Sequence, residues 1–179
     1  IIQDVKIMNK NFTIFIIILL LIIPRTLLSA DMVGYLLNQA VIEYNDKNYK
    51  NAYKSLTNIA PTGNPIAIYL LAKMHLNGLG IEKNNKIAHD LMLEASNKLI
   101  KHDKALAIEA QLTLSNMFTE GLGVDKDYFK AYLWAILARI TSEKKSVVDV
   151  IELKKILSPN EIEAAEIKAI ELHSEMIKE

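Results

Sequence analysis

The chain has 179 residues, a formal net charge of +0 and 51% hydrophobic residues, which is enough for one domain with a substantial core. Balanced charge leaves no cationic excess to neutralise phosphates, so the composition does not favour nucleic-acid binding. The absence of cysteine excludes disulfides, thiolate nucleophiles and cysteine-ligated metals.

The N-terminal region has the organisation of a secretory signal. Lys6 and Lys10 precede an apolar run from Phe12 to Ile23, and the small residue Ala30 closes the segment that follows. A basic start, an apolar core of roughly 7–15 residues and a small residue at the cleavage point are typical of a signal peptide. We therefore expect residues 1–30 to be removed near Ala30, which predicts an exported protein, periplasmic or secreted.

The alternative is an uncleaved N-terminal anchor, which predicts a membrane-anchored envelope assembly factor whose membrane contact occurs only through residues 12–30. The apolar run is shorter than the roughly 20 residues that a transmembrane helix needs, which favours cleavage. Met8 opens a more typical signal than Ile1 does, so the natural start is predicted at Met8, with residues 1–7 as upstream sequence.

From Asp31 onward the periodicity is helical, and no run alternates long enough to predict a strand. A first helical hairpin is predicted over residues 31–63, with a turn at 45–48 and a break at the Pro61–Pro65 segment. Its inward positions at helical spacing are Val33, Leu36, Leu37, Ala40, Val41 and Tyr44 in one helix, and Tyr49, Ala52, Tyr53, Leu56 and Ile59 in the next.

Two later segments repeat one another. Residues 76–84 read LNGLGIEKN and residues 119–127 read TEGLGVDKD, so Gly121 follows Gly78 by about 43 residues. That period falls in the range of helical-hairpin solenoids. We therefore predict two homologous hairpins, over residues 64–98 and 104–141.

Each position in the repeated turn has a predicted mechanical role. The first glycine ends a helix, because a left-handed residue is required there. The second glycine, Gly80 or Gly123, allows close approach of the returning helix, and the next apolar residue fills the gap. Asn84 and Asp127 are expected to cap the second helix, as Asn64 caps the one that begins at Pro65. The predicted structural positions are Ala67, Leu71, His75, Gly78, Gly80, Ile81, Ala88 and Ala95, and Ala110, Leu114, Phe118, Gly121, Gly123, Val124, Asp127, Ala131, Trp134 and Ala138.

Residues 142–179 form a different unit. A helical pattern runs from Val147 to Leu157, and Ser158 to Glu161 has the form of a capping box with a proline in the first turn. The last helix is predicted to point Ile162, Ala165, Ala169, Leu172 and Met176 inward and Glu161, Glu163, Glu166 and Lys168 to solvent. A polar-faced final helix is what closes the end of a solenoid.

The repeated residues resemble Sel1-like repeats, which are relatives of tetratricopeptide repeats. Residues 110–138 match the pattern closely, while residues 67–95 depart from it at His75, Asn84, Ile87 and Leu91. Residues 31–63 resemble a degenerate preceding unit. The resemblance implies an all-α fold, a right-handed α-α superhelix of antiparallel hairpins with C-terminal capping helices.

The same resemblance implies a non-catalytic scaffold that binds another protein or a peptide segment, with no cofactor and no metal. Exported bacterial proteins of this kind often act in the cell envelope. In stacked hairpins the first helices line the concave surface that binds partners. Two matching stripes on those helices are the predicted partner-binding residues: Tyr69, Lys73 and Asn77, then Leu112, Asn116 and Glu120. The same stripes are equally compatible with plain solvent exposure.

Catalytic motifs are absent from the sequence. The GLG segments lack the context of a phosphate-binding loop, and no two histidines have metal-ligand spacing. His75 leaves one alternative, a small periplasmic hydrolase that uses it with a nearby carboxylate. The competing interpretation places His75 in the repeat's aromatic slot, half-buried and hydrogen-bonded.

Overall fold

The computed structural model describes residues 25–142 and 150–178, which contain eight α-helices, one short 3-10 turn and no strand. The apolar run of the predicted signal and the start of the helix predicted from Val147 lie outside these residues. The helices are α1 (Arg25–Asn45), α2 (Tyr49–Ile59), α3 (Pro65–Asn77), α4 (Asn85–Leu99), α5 (Lys104–Glu120), α6 (Tyr128–Ser142), α7 (Ile151–Ile156) and α8 (Pro159–Lys178).

Consecutive helices pack as hairpins, and the hairpins stack. The pairs α3–α4 and α5–α6 make the most extensive contacts, and α1 packs on α2 as a further hairpin. Helix α4 joins the second hairpin to α5 of the third. Helix α8 packs along α6 and closes the stack. The predicted all-helical solenoid with a C-terminal capping unit is therefore confirmed. Within the described ranges, no helix is both long enough and apolar enough to cross a membrane.

The predicted caps form as expected. The Asn64 side chain accepts hydrogen bonds from two backbone N–H groups of the first turn of α3, at 3.1 and 3.0 Å. Asn84 and Asp127 each accept one bond from the first turn of α4 and α6, at 3.0 and 2.9 Å. Asp103 caps α5 through two bonds of 3.0 Å, although the sequence analysis did not predict this cap. These bonds satisfy donors that have no partner inside the helix.

Gly78 and Gly121 end α3 and α5 in the left-handed conformation, with φ of 67° and 72°. Their N–H groups donate to the carbonyl oxygens of Met74 and Met117. Both helices therefore stop where the repeated sequence predicted.

The second glycine of each turn contacts a different helix from the one expected. A Cβ on Gly80 would lie 2.7 Å from the Cβ of Tyr49 at the start of α2, and one on Gly123 would overlap the carbonyl oxygen of Asn85 at the start of α4. The expected approach to the returning helix of the same hairpin is therefore wrong. Each glycine instead fixes how closely one hairpin can lie against the preceding one.

Small side chains lie where helices cross. Ala88, Ala95, Ala131 and Ala138 are completely buried, which allows the hairpin helices to pack closely. Helices α3 and α6 are apolar on nearly all sides, as expected for helices with neighbours on several faces. At the first hairpin Leu36 is exposed rather than inward-facing, because Ala40 and its neighbours form the face on α2.

The final helix has the predicted inner face. The capping box forms, with the Ser158 N–H donating to Glu161 Oε2 at 2.8 Å. Ala165, Ala169 and Met176 are buried.

Glu166 is not simply solvated, as the sequence had suggested. It accepts a 2.7 Å hydrogen bond from the hydroxyl of the buried Tyr132 on α6, with Lys154 Nζ at 3.5 Å and an Arg139 guanidinium nitrogen at 3.9 Å. The capping helix is therefore joined to the stack by charge as well as by apolar packing.

Candidate functional site on the first helices of the hairpins

An ion pair joins the first helices of the two repeats. Lys73 Nζ on α3 lies 2.7 Å from Glu109 Oε1 on α5, and both side chains remain partly exposed. Helices α3 and α5 therefore meet through long side chains at one continuous surface, as the first helices of neighbouring hairpins should in a solenoid.

Tyr69 lies beneath this ion pair rather than on the surface. Its residue is only 2% exposed, and Lys73 Nζ lies 5.4 Å from the ring centroid in a cation–π arrangement. In the described part of the chain its hydroxyl has no hydrogen-bond partner of good geometry. Burial, followed by the neighbouring Glu109 carboxylate, raises the pKa of Tyr69. The prediction that Tyr69 is accessible to a partner is wrong, because the ring forms the floor under Lys73.

The same electrostatic neighbourhood reaches the first hairpin. Burial raises the pKa of Tyr44 on α1, and Lys73 opposes that shift. For Glu109, burial works against ionisation, but Lys73 and the nearby Tyr69 hydroxyl outweigh it and hold the pKa of the carboxyl below its usual value. Tyr44, Tyr69, Lys73 and Glu109 thus form one cluster across three hairpins, which we call the inter-repeat cluster.

The other predicted residues differ in exposure. Asn77 is exposed, and its Nδ2 donates to the Lys73 carbonyl oxygen at 2.9 Å. Leu112 is partly buried, while Asn116 and Glu120 are exposed on α5. We define the concave row as the accessible side chains of this surface: Lys73, Asn77, Glu109, Asn116 and Glu120. Their contact with a partner stays a prediction.

Sequence reasoning missed Glu109, although a sequence feature pointed to it. Position 109 is seven residues before Asn116 and therefore lies on the same side of α5. Its charge is also opposite to that of Lys73. A comparison of equivalent positions in the two repeats did not reveal this pair, because Lys73 and Glu109 occupy different positions of the repeat.

His75 occupies an aromatic environment. Its ring packs edge-on against Tyr53, with centroids 5.8 Å apart, and burial lowers its pKa. The hydrogen bond that we expected is absent at Nδ1, which is buried without a partner among the described residues. A neutral imidazole without an orienting group at Nδ1 lacks the arrangement of an activated general base.

A separate open cavity of about 790 Å³ lies between the start of α4 and the turn before α6. His89 and Phe118 form one side, with ring centroids 5.5 Å apart, and His89 Nδ1 lies 3.1 Å from Asp90 Oδ1. Across residues 25–142 and 150–178, no three acidic or histidine side chains converge as a metal site would require.

The hairpins are antiparallel and stacked, α3 and α5 each end at a glycine, and an ion pair bridges these two first helices. These features define a helical repeat protein. Residues 65–98 and 108–139 match the Sel1 repeat family model, which confirms over these two segments the resemblance seen in the sequence. Proteins with Sel1 repeats generally mediate protein–protein interaction, and the fold is typically a non-catalytic scaffold.

Among solved structures, the chain is similar to c5321, a protective antigen of uropathogenic Escherichia coli strains with an SLR fold. The two share 22% identity and a TM-score of 0.63 over 84% of this chain and 31% of c5321, so this chain spans about a third of that protein. A Sel1 repeat protein from Oxalobacter formigenes matches at 18% identity and a TM-score of 0.32, over 78% of this chain and 84% of that one. The likeness to c5321 concerns the fold. No curated protein matches the chain.

Proposed function

We propose that this protein is an exported, non-catalytic adaptor that binds a segment of a partner protein along the concave row. The Lys73–Glu109 ion pair is the observation that carries the proposal, since it makes α3 and α5 one surface. Export is supported by the signal-like N-terminal sequence, with the mature protein beginning near Asp31.

The chemistry of the concave row suits an extended peptide. Asn77 and Asn116 each present an amide that can both donate and accept, as the main chain of a peptide requires. Lys73 and Glu109 neutralise one another, which leaves Glu120 as the unbalanced charge of the row. We therefore expect a partner segment that is neutral or basic rather than acidic.

Photo-crosslinking tests the surface directly. A photoreactive residue replaces Asn116 on the concave row, and a control variant carries it in place of the exposed Asn97 on α4. With the purified full chain in envelope extract, position 116 should give a discrete adduct and position 97 should not. Equal labelling from both positions would remove the concave row from the proposal.

Substitution supplies the complementary measurement. The double variant Asn77→Arg/Asn116→Arg should lose the crosslinked partner in a competition assay, while Asn97→Arg should compete as well as the unmodified chain. Thermal unfolding of all three proteins controls for folding, because each substituted side chain is exposed.

A membrane-anchored envelope assembly factor is a second candidate, favoured by one observation. Helix α1 begins at Arg25, upstream of the predicted cleavage point at Ala30, and continues without a break to Asn45. In this form residues 12–30 remain attached. The intact mass of the protein isolated from cells separates the two forms, since cleavage near Ala30 shortens the chain by a known amount.

A further inference from the structure

Helix α1 carries an apolar stripe that no described residue covers. Met32, Tyr35, Leu36 and Ile42 are 55%, 67%, 41% and 44% exposed. Their spacing places them on one side of the helix, apart from the face around Ala40 that packs on the stack. We call these four residues the α1 stripe.

Charge on α1 adjoins the α1 stripe only at its ends, with Asp31 directly before Met32 and Glu43 directly after Ile42. The exposed Gln39 on the same side of the helix is polar but uncharged. Residues 32–42 contain no Asp, Glu, Lys or Arg. The exposed isoleucines of α8 differ, because Ile167 and Ile170 alternate with charged residues such as Lys168 and Glu171. A soluble surface helix normally carries charges on its outer side, so the α1 stripe is suited to an apolar environment.

The sequence before α1 indicates what that environment is. Only Pro24 separates the apolar run Phe12–Ile23 from Arg25, the first residue of α1. That run is shorter than a membrane span, and when it is not removed as a signal peptide its length is that of an interfacial segment. In the anchored form the stripe therefore follows a segment that favours the boundary between water and lipid, separated from it only by residues 24–31, which include Arg25 and Asp31.

We propose that α1 lies on a lipid bilayer, with the α1 stripe in contact with the acyl-chain boundary. This inference rests on the anchored form of the proposed function. Tyr35, the most exposed of the four residues, has the amphipathic ring that favours the headgroup level. Because residues 32–42 are uncharged, the contact is hydrophobic and does not depend on anionic lipid or on salt.

The cysteine-free chain allows a direct test, because a single substitution gives a single label. Tyr35→Cys is labelled with an environment-sensitive fluorophore in the full chain bound to phosphatidylcholine vesicles. Two matched controls are Asn97→Cys, an exposed polar position on α4, and Ile170→Cys, an exposed apolar position on α8. The label at 35 should shift to the blue and be quenched by nitroxide-bearing lipids, unchanged by salt. The labels at 97 and 170 should remain water-like.

Three results would overturn the proposal. A water-like label at 35 on vesicles shows that lipid does not cover the stripe. If the label at position 35 is shielded from water without vesicles, and the protein in solution has twice the mass of one chain, a second copy covers the α1 stripe. Equal quenching at 170 shows general adsorption of apolar surface. The intact mass of the isolated protein reports separately whether the anchored form exists, so its failure is distinguishable from failure of the lipid contact.

Discussion

Gly123 lies against the backbone of Asn85 so closely that no side chain fits between them. Gly123 belongs to the turn of the third hairpin, and Asn85 is the first residue of the second helix in the preceding hairpin. Gly80 makes the equivalent approach to Tyr49, one hairpin earlier. The same contact therefore recurs at both junctions between the three hairpins.

Replacement of Gly123 should destabilise the protein markedly. Gly123→Ala places a Cβ onto the carbonyl oxygen of Asn85 at a residue whose φ is +78°. The left-handed conformation alone costs about 1–2 kcal/mol for a residue with a side chain, and the backbone overlap adds to that. Urea unfolding should show a loss of free energy larger than this range.

Gly34→Ala is the matched control, since Gly34 lies within α1 and a Cβ there meets nothing within 4 Å. Alanine in a helix interior should stabilise by roughly 0.5–1 kcal/mol. A similar loss for both variants would mean that the junction contact is not what makes Gly123 necessary.

His75→Phe should leave the fold intact and reduce its sensitivity to mild acid. Burial lowers the pKa of His75 from the ordinary 6.5, so the unfolded chain binds the proton more readily than the native protein. Wild-type stability should therefore fall as pH decreases from about 6.5 towards the lower native pKa. The ring of the Phe variant can still pack on Tyr53 but does not titrate, so this variant should not show the fall in stability that protonation of His75 causes.

Thermal midpoints at several pH values between neutral and mildly acidic would measure the difference. His102→Phe serves as the control, because His102 is exposed in the turn before α5. If the His75 and His102 variants have identical pH profiles, burial of the imidazole is not the cause of the acid sensitivity.

Tyr132→Phe should weaken the attachment of the capping helix. The substitution removes the 2.7 Å hydrogen bond to Glu166, at a cost of about 1 kcal/mol. That bond, followed by the charges of Lys154 and Arg139, lowers the pKa of Glu166 from the ordinary 4.5. The stabilising contribution of the ionised Glu166 carboxylate is therefore present above pH 4.5 and is lost as pH falls through its lower native pKa.

The variant and wild type should consequently converge in stability at strongly acidic pH, as measured by denaturant unfolding. A constant difference across the whole range would show that the hydroxyl acts through packing rather than through the carboxylate.

The ion pair between Lys73 and Glu109 should contribute little to stability. Both side chains are partly exposed, and such pairs contribute about 0–1 kcal/mol. Glu109→Gln should shift the unfolding free energy within that range. If the concave row binds a partner, the same variant should change its affinity, measured by calorimetry against the crosslinked partner segment. A large loss of stability would instead show that the pair holds the hairpins together.

Sequence reasoning succeeded where the determinants are local. The caps at Asn64, Asn84 and Asp127 depend on a few adjacent residues, and so do the helix ends at Gly78 and Gly121. The spacing of the glycines was enough to identify the repeat architecture.

Errors arose where several helices meet. Tyr69 lies on α3, which packs against α2 and α4. The Lys73 side chain, which reaches Glu109 on α5, also lies over the Tyr69 ring. The sequence prediction assumed that α3 buries only one face, and it therefore placed Tyr69 at the surface. Glu166 looked solvated because its partner Tyr132 is 34 residues away in the chain. The contact of Gly80 with Tyr49 was equally invisible, because it joins different hairpins.

The glycine junctions have an evolutionary consequence. Backbone approach at Gly80 and Gly123 fixes the rotation between successive hairpins, and that rotation sets the curvature along which the first helices present their side chains. A substitution at such a junction would therefore change the shape of the surface formed by α3 and α5 without altering any residue of the concave row. Because replacement of either glycine also destabilises the stack, such changes are constrained more strongly than changes to the exposed side chains of the concave row.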